Sequence, residues 1–273
     1  SAFEECGYRF YMERVLGLPA AAPPELLRTP ARVRSSPEHV RQSANAPAVT
    51  GDEGPSAREE RSARGAAVHA LLEWSQTNSW REPTAELARR HALAAGLDLD
   101  QTGVEELLGP VRDWLGSPLR AEIAAAGRAR AEVPILLGAA GTVLRGSIDL
   151  LVERDGAPPL VVDYKTDRLH GEDPVARAAH YEIQRSIYAL ATAESLGAAE
   201  IEVAYVFLER ADAPVRTILT AAEMAIGRAR IGAAVRQISR GDFSPASETK
   251  RTWDLCRGCP ALGRLCKGPP PPP

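Results

Sequence analysis

The sequence has very little lysine, little cysteine and no long apolar run. Lysine occurs only at positions 165, 250 and 267, while the other 30 of the 33 basic residues are arginine. No stretch approaches the ~18 consecutive apolar residues of a membrane-spanning helix, which excludes a protein built on such helices. The first residues, SAFEECGYRF, lack a basic flank followed by an apolar segment, so no signal peptide is visible.

Composition and charge indicate what kind of protein this is and which ligands its overall charge does not attract. With 273 residues, 44% of them hydrophobic and 25% charged, the chain has the composition of a globular protein. A formal net charge of −3 gives no overall attraction to nucleic acid, so such a site would need a local basic patch or a metal. Because arginine replaces lysine almost throughout, a retained lysine is a candidate for amine chemistry. The chain begins at Ser1 rather than Met, and we expect it to be a piece of something longer.

The apolar pattern predicts an α/β fold with a small mixed sheet flanked by helices. We expect a single domain over 1–273, made of a cysteine-bearing helix (1–18), a linker (19–62), a helical region (63–127), a core (128–245) and a cysteine-rich clip with a proline-rich tail (246–273). The predicted helices are 64–76, 82–95, 104–115, 119–126, 174–196 and 221–237, and the predicted strands are 131–137, 143–152, 160–164 and 201–208.

Three acidic residues and one lysine are expected to meet at one end of the sheet. Residues two apart in a strand share a face, so Asp163 and Lys165 should project together. Asp149 lies on a neighbouring strand and Glu132 on the strand before that. Carboxylates brought together in this way are costly without a cation, and Mg²⁺ or Mn²⁺ prefers such oxygen ligands. The alternative is a surface hairpin with scattered charges, because Asp-x-Lys alone is common by chance.

Three motifs and a histidine, in this order, resemble a known family. A histidine on an upstream helix, His69, is followed by Gly-Ser-Ile-Asp ending at Asp149, Asp-Tyr-Lys at 163–165 and Gln-x-x-x-Tyr at 184–188. This series resembles the RecB-type branch of the PD-(D/E)XK nucleases, which includes the RecB, AddA and AddB helicase–nucleases. The resemblance implies a restriction-endonuclease-like core. Many relatives carry arginine directly after the first aspartate, where Leu150 stands here, which puts substrate contacts in doubt.

The resemblance implies a role for each site residue. The implied metal ligands are His69, Asp149, Asp163 and the carbonyl oxygen of Tyr164. The implied catalytic residues are Asp149, Asp163, Lys165, Glu132, Gln184 and Tyr188. Lysine would assist the attacking water or stabilise the phosphate, and the glutamine and tyrosine would support the site and contact DNA. Their alternative interpretations are a solvated helix residue and a core aromatic, and the histidine could form an ordinary helix pair with Glu73.

The cysteines suggest a second metal centre. Cys256, Cys259 and Cys266 lie within eleven residues, and Cys6 adds a fourth thiol from the other end of the chain. Four thiolates suit Zn²⁺ or an iron–sulfur cluster, and the spacing does not separate the two from each other or from free thiols or disulfides. Their local contexts resemble AddB-type and CRISPR-adaptation nucleases, which implies a [4Fe–4S] cluster that staples the two ends together.

The function expected from this resemblance is a Mg²⁺- or Mn²⁺-dependent deoxyribonuclease. It would act on single-stranded DNA supplied by a helicase motor, in double-strand-break repair and recombination in the bacterial cytoplasm, with no membrane partner. The chain has no Walker A pattern, so a motor would lie in a longer chain or a partner. The alternatives are a catalytically weak DNA-binding and docking scaffold, or a stand-alone CRISPR-adaptation-type exonuclease. Arginines that could contact phosphates are Arg9, Arg14, Arg128, Arg130, Arg145, Arg168 and Arg185.

Overall fold

The computed structural model describes residues 2–18, 57–256 and 258–269. Their contacts divide these residues into a larger unit, 57–241, and a smaller unit, 2–18 with 242–269. Most of the predicted linker lies outside the described residues. Its last part, 57–62, is helical, so the linker prediction is wrong there. Among the described residues, no helix has the length and apolar character to span a bilayer.

Four helices open the larger unit. They are α3 (Ala57–Thr77), α4 (Ala85–Ala94), α5 (Gln101–Leu115) and α6 (Pro118–Ala126). The helices α4, α5 and α6 each follow a residue whose side chain accepts a hydrogen bond from a first-turn N–H, at Thr84, Asp100 and Ser117. The four helices predicted here are therefore confirmed, with α3 starting seven residues earlier than expected.

A five-stranded mixed sheet follows. Its strands are β1 (Ala129–Ala139), β2 (Thr142–Val152), β3 (Leu160–Lys165), β4 (Ile201–Phe207) and β5 (Val215–Leu219), in the spatial order β1-β2-β3-β4-β5. Only β3 and β4 pair in parallel, and the other neighbours are antiparallel. The predicted α/β class with a small mixed sheet is confirmed. Strand β5 has no counterpart among the predicted strands, because this five-residue edge strand has only one buried residue.

The crossover between β3 and β4 differs from its prediction. In place of one helix over 174–196, the chain forms α7 (Pro174–Ala179) and α8 (Glu182–Leu196). The break falls at Tyr181, whose φ of −104° and ψ of 16° are not helical. The carbonyl oxygen of Tyr181 accepts a hydrogen bond of 2.8 Å from the Tyr205 hydroxyl. Gly197 ends α8 at φ +65°, as predicted, because glycine adopts this conformation without strain.

Helices cover both faces of the sheet. On one face α3 to α6 pack against alternate strand residues, so that Leu71 of α3 and Trp114 of α5 share a core cluster with Val162 of β3. On the other face α8 and α9 (Ala221–Ser239) pack against the strand residues that point the opposite way, so that Ala189 of α8 shares a core cluster with Val161 of β3. The central strand β3 is therefore buried on both faces, as expected for a strand inside a layered α/β domain.

The smaller unit combines the two ends of the chain. Its elements are α1 (Ala2–Glu5), α2 (Gly7–Phe10), a π-helix (Tyr11–Val15), a 3-10 helix (Glu248–Lys250) and α10 (Trp253–Cys256). The predicted continuous helix over 1–18 is wrong at Cys6, where an extended backbone (φ −158°) separates α1 from α2. The ring of Phe243 stacks on Tyr11, with centroids 4.7 Å apart. Gly7 lies against Ser244, where a Cβ atom would stand 3.0 Å from the backbone oxygen.

Candidate functional site

Three side chains from three elements meet beside the sheet in the larger unit. Ligand atoms of His69 on α3, Glu132 on β1 and Asp149 on β2 all lie within 4.8 Å of one another, close enough for one metal ion. Nδ1 of His69 lies 3.4 Å from Oδ1 of Asp149. One imidazole and two carboxylates form a donor set that suits Mn²⁺ and is compatible with Mg²⁺.

Backbone and side-chain donors hold both carboxylates in place. The other oxygen of Asp149, Oδ2, accepts a 2.7 Å hydrogen bond from the backbone N–H of Tyr164. Oε2 of Glu132 accepts a 2.8 Å hydrogen bond from the Ser147 hydroxyl. The ring of Tyr164 is buried against Trp114, with centroids 5.1 Å apart, so the peptide that orients Asp149 is itself anchored in the core.

Burial and the neighbouring carboxylates change the pKa of His69. Burial lowers the pKa of His69. The hydrogen bond to Asp149 and the negative charges of Asp149, Asp163 and Glu132 outweigh burial, so the net shift is upward. An imidazole held among three carboxylates attracts a cation, either a proton or a metal ion.

Asp163 and Lys165 form a second, adjoining pair. Asp163 is 2% exposed, and its Oδ2 lies 2.5 Å from Nζ of Lys165. Burial raises the pKa of the Asp163 carboxyl, Lys165 opposes this shift, and the charge of Asp149 adds to it. Asp163 is also predicted to be a metal ligand, and this stays a prediction. The structure brings Glu132 together with His69 and Asp149 and places the Asp163 carboxylate beside the lysine.

Helix α8 contributes a bridge to this pair. Oε1 of Gln184 accepts a 2.8 Å hydrogen bond from Nζ of Lys165, and Nε2 of Gln184 donates to Oδ1 of Asp163 at 3.1 Å. The same Nε2 donates to the hydroxyl of Tyr188 at 2.8 Å. Spacing by four residues puts Gln184 and Tyr188 on one helix face, and the structure brings that face to the end of β3.

Two aromatic residues that the sequence analysis did not single out contact the lysine. Nζ of Lys165 lies 4.0 Å from the ring centroid of Tyr181 and 5.4 Å from that of Tyr205. Tyr181 stands three residues before Gln184, and Tyr205 is paired with Asp163 in the β3–β4 register. The spacing to the glutamine was visible in the sequence, whereas the register of two strands far apart in the chain was not.

The candidate phosphate-binding arginines fall into different environments. Arg128 and Arg130 form ion pairs with Asp155 and Glu153 on the surface. Arg145 and Arg168 are exposed and Arg185 is half-buried. In the smaller unit, Arg14 is exposed and Arg9 is bound to Glu13 and to the carbonyl oxygen of Leu255. Of the proposed phosphate-binding arginines in the larger unit, Arg145, Arg168 and Arg185 have no described ion pair and remain candidates.

All four cysteines line one cavity in the smaller unit. The cavity has about 350 Å³ of empty space including its mouth, and its wall also contains Tyr8, Arg9, Pro245, Ala246, Arg251, Leu255 and Leu262. Among the described residues, no three thiols have their sulfurs within 4.8 Å of one another. Burial raises the pKa of the Cys256 and Cys259 thiols, with neighbouring cysteines adding to the first shift and Arg9 opposing the second.

Comparison with known proteins places these observations in context. The family model of the PD-(D/E)XK nuclease superfamily matches residues 39–266. Among solved structures, SSO0001 is 17% identical, with 75% of this chain and 84% of that chain covered and a TM-score of 0.35. A candidate exonuclease from Eubacterium rectale is 14% identical, with 78% and 77% covered and a TM-score of 0.47. A search of curated proteins finds no significant match.

Proposed function

Because this chain belongs to the PD-(D/E)XK nuclease superfamily, we propose that it is a metal-dependent deoxyribonuclease that hydrolyses phosphodiester bonds, with single-stranded DNA as its substrate. The observation that carries this proposal is the arrangement beside the end of β3. There, the His69, Glu132 and Asp149 group adjoins the buried Asp163 and its half-buried partner Lys165. Acidic ligands beside a lysine fit hydrolysis of a phosphate ester, because both the metal and the lysine favour negative charge on the reacting oxygens.

The residues present fit a divalent cation. His69, Glu132 and Asp149 supply one nitrogen and carboxylate oxygens within reach of one ion. Asp163 has a buried oxygen that accepts no hydrogen bond of normal geometry, although Lys165 lies beside it, and we retain this residue and the Tyr164 carbonyl as further candidate ligands. When bound, Mg²⁺ or Mn²⁺ would polarise the phosphate and lower the pKa of a coordinated water.

The protein's own residues hold the remaining groups. Asp163 and Gln184 fix the ammonium of Lys165 at 2.5 and 2.8 Å, where its charge can stabilise a phosphate or orient water. Gln184 and Tyr188 are proposed to act as supports, since their described contacts are with each other and with the lysine–aspartate pair. Direct contact of these two residues with DNA stays a prediction.

Cleavage of end-labelled single-stranded DNA tests this proposal. Anaerobically purified protein is assayed with Mg²⁺, Mn²⁺ or EDTA, beside Lys165→Ala. The matched control is Lys250→Ala, because Lys250 is an exposed lysine in the smaller unit. We expect cleavage that needs the metal, is lost in Lys165→Ala and is retained in Lys250→Ala. A folded wild-type protein that binds DNA but cleaves none under any of these conditions would favour a DNA-binding scaffold instead.

We also propose that the four cysteines hold a [4Fe–4S] cluster. Tetrahedral zinc with Zn–S bonds of ~2.3 Å needs sulfurs ~3.8 Å apart. The four thiols line a wider cavity with no such close group. A cubane cluster, with an iron atom at each thiolate, holds its sulfurs farther apart. Arg9 and Arg251 in the same wall would offset the negative charge of four thiolates.

The setting that we propose is a helicase–nuclease acting in recombinational repair in the bacterial cytoplasm. Its support is the resemblance of the site motifs and of the cysteine spacing to the RecB and AddB proteins. A motor, in the same polypeptide or in a partner, would deliver single-stranded DNA to the site. Copurification of this domain with an ATP-dependent helicase, together with cleavage that ATP stimulates, is the expected result.

A further inference from the structure

We propose that Tyr181 and Tyr205 are positioning residues that hold the Lys165 ammonium in place for catalysis. This inference rests on the proposed nuclease function. Lysine carries its charge on a flexible four-carbon stem, so an ammonium used in catalysis needs more than one contact to fix it. Both rings lie within the ~6 Å range over which an aromatic face attracts a cation, at 4.0 and 5.4 Å.

The two rings are themselves held from separate elements. Tyr205 belongs to β4, is 1% exposed, and donates through its hydroxyl to the Tyr181 carbonyl oxygen. The Tyr181 hydroxyl donates to Asp167, in the segment that follows β3. The ring centroids are 5.5 Å apart with the planes tilted by 44°. These contacts connect β4, the start of α8 and the end of β3 around one ammonium group.

The break between α7 and α8 lies at Tyr181, one of the two residues whose rings contact Lys165. The backbone leaves helical geometry at Tyr181 and resumes it at Glu182. The Tyr181 carbonyl oxygen accepts the first backbone hydrogen bond of α8, from Arg185 at 2.9 Å, as well as the bond from the Tyr205 hydroxyl. With the chain turned at this residue, the Tyr181 ring lies over Lys165, and Gln184, one turn later, reaches the same ammonium.

Aromatic faces suit this task because they attract the cation without accepting a proton from it. Lysine has three N–H donors. The described polar contacts of Nζ are with Asp163 and Gln184, which leaves the third N–H for a phosphate oxygen or a water. A third carboxylate near Nζ would compete for that donor. The rival explanation is that Tyr181 and Tyr205 only fill the small core cluster that also contains Leu169 and Phe207.

The scarcity of lysine makes a direct test feasible. Protein labelled with ¹³C at the lysine Cε atoms gives signals from only Lys165, Lys250 and Lys267. The Lys165 signal, assigned with Lys165→Ala, is expected upfield of the others in proton shift because of the rings. Tyr181→Phe should keep the shift, and Tyr181→Leu should lose most of it, because only the more distant Tyr205 ring is left. Tyr181→Met is the second non-aromatic variant if the leucine variant does not fold.

Single-turnover DNA cleavage gives the second readout. In Tyr181→Leu or Tyr181→Met, we expect the rate to fall by about 10- to 100-fold, because small displacements of a catalytic group have effects of that order. DNA affinity measured in EDTA should be unchanged, and Tyr181→Phe should cleave nearly as fast as wild type. The proposal is wrong if the phenylalanine and leucine variants lose activity equally, or if the Lys165 shift survives in Tyr181→Leu. A wild-type protein that cleaves no DNA would refute the nuclease function, while the NMR comparison would still decide whether the rings hold the lysine.

Discussion

Glu132 on β1 lies directly across from Asp149 on β2, and its backbone is left-handed at that point. The pairs on either side are Ala131 with Leu150 and Val133 with Ile148, so the two acids occupy facing positions in the ladder. The φ angle of Glu132 is +46°, a region that residues other than glycine rarely adopt. Strain of this kind concentrates at functional sites, where the surrounding structure maintains it. The strained residue here belongs to the candidate metal-binding group.

The strain at Glu132 predicts opposite effects of two substitutions on stability. Glycine adopts positive φ without a Cβ clash, whereas alanine in this region costs about 1–2 kcal/mol. We therefore expect Glu132→Gly to be more stable than Glu132→Ala by about 1 kcal/mol, after allowing for the greater freedom of glycine in the unfolded chain. Urea unfolding of the two variants measures this difference.

The two variants control for each other, because both remove the same carboxylate. Both should bind Mn²⁺ more weakly than wild type and should cleave DNA more slowly to a similar extent. Equal stability of the two would show that the backbone at 132 is not held in the left-handed region. Wild-type metal affinity in either variant would remove Glu132 from the ligand set.

The contacts of Gln184 predict that replacing it reduces DNA cleavage more than it reduces the stability of the fold. Gln184→Ala removes both the acceptor for Lys165 and the donor to Asp163, so the two charged groups lose the side chain that bridges them. We expect the cleavage rate to fall by about 10- to 100-fold, with DNA affinity in EDTA unchanged. The matched control is Gln237→Ala on the exposed face of α9, which should behave as wild type. Equal rates for the two variants would contradict the bridging role of Gln184.

Local periodicity was enough to predict which site residues share a face. Alternation along a strand correctly placed Asp163 beside Lys165, and the four-residue helical spacing placed Gln184 beside Tyr188. Both relations depend on residues close together in the chain. The same reasoning predicted the mixed α/β architecture, because the apolar strands and helices are marked by their own sequences.

Features that depend on tertiary contacts were not predictable in this way. The predicted continuous helix is interrupted at Tyr181, whose carbonyl oxygen accepts a hydrogen bond from Tyr205, a residue of a strand that follows later in the chain. The pairing of Tyr205 with Asp163 depends on strand register across a long crossover. Glu132 gives no sequence signal for a left-handed backbone, since glutamate has no special preference for it.

The cysteine cavity predicts that iron content and stability fall together. Cys259→Ala removes the most buried of the four thiols, which is 7% exposed. If the cysteines hold a cluster that closes the long loop from Cys6, the variant should lose bound iron and melt at a lower temperature, because metal binding is coupled to folding. Metal analysis and thermal unfolding of anaerobically prepared protein measure both quantities.

The matched control for this variant is Leu265→Ala. Leu265 lies beside Cys266, but it is 69% exposed and does not line the cavity. The Leu265→Ala protein should keep the iron content and the melting temperature of the wild type. If metal analysis of the wild-type protein finds one equivalent of zinc and no iron, the four cysteines hold a zinc ion rather than an iron–sulfur cluster. Unchanged melting of Cys259→Ala would refute the staple in either form.

The ion pairs of Glu202 with Arg154 and Arg216 predict how the stability of the protein depends on pH. Glu202 on β4 is 7% exposed, and its oxygens lie 2.6 Å from Nη2 of Arg154 and 2.5 Å from Nε of Arg216. Burial raises the pKa of Glu202, but the hydrogen bonds and charges of the two arginines outweigh it, so the net shift is below the ordinary value of 4.5. The carboxylate therefore stabilises the folded state above about pH 4.5, and this contribution is lost as the pH falls through the lowered pKa.

Replacing the Glu202 carboxylate by an amide should remove, at neutral pH, the same stability that the wild-type protein loses in acid. We expect Glu202→Gln to be less stable than wild type by about 1.5–3 kcal/mol at pH 7, the range for hydrogen bonds to charged groups. The difference should shrink below the lowered pKa, where the wild-type side chain is also neutral. Glu200→Gln is the matched control, because Glu200 is exposed two residues away. Urea unfolding at several pH values checks both variants. A gap between Glu202→Gln and wild type that stays constant into strong acid would show that Glu202 stabilises the fold by shape rather than by charge.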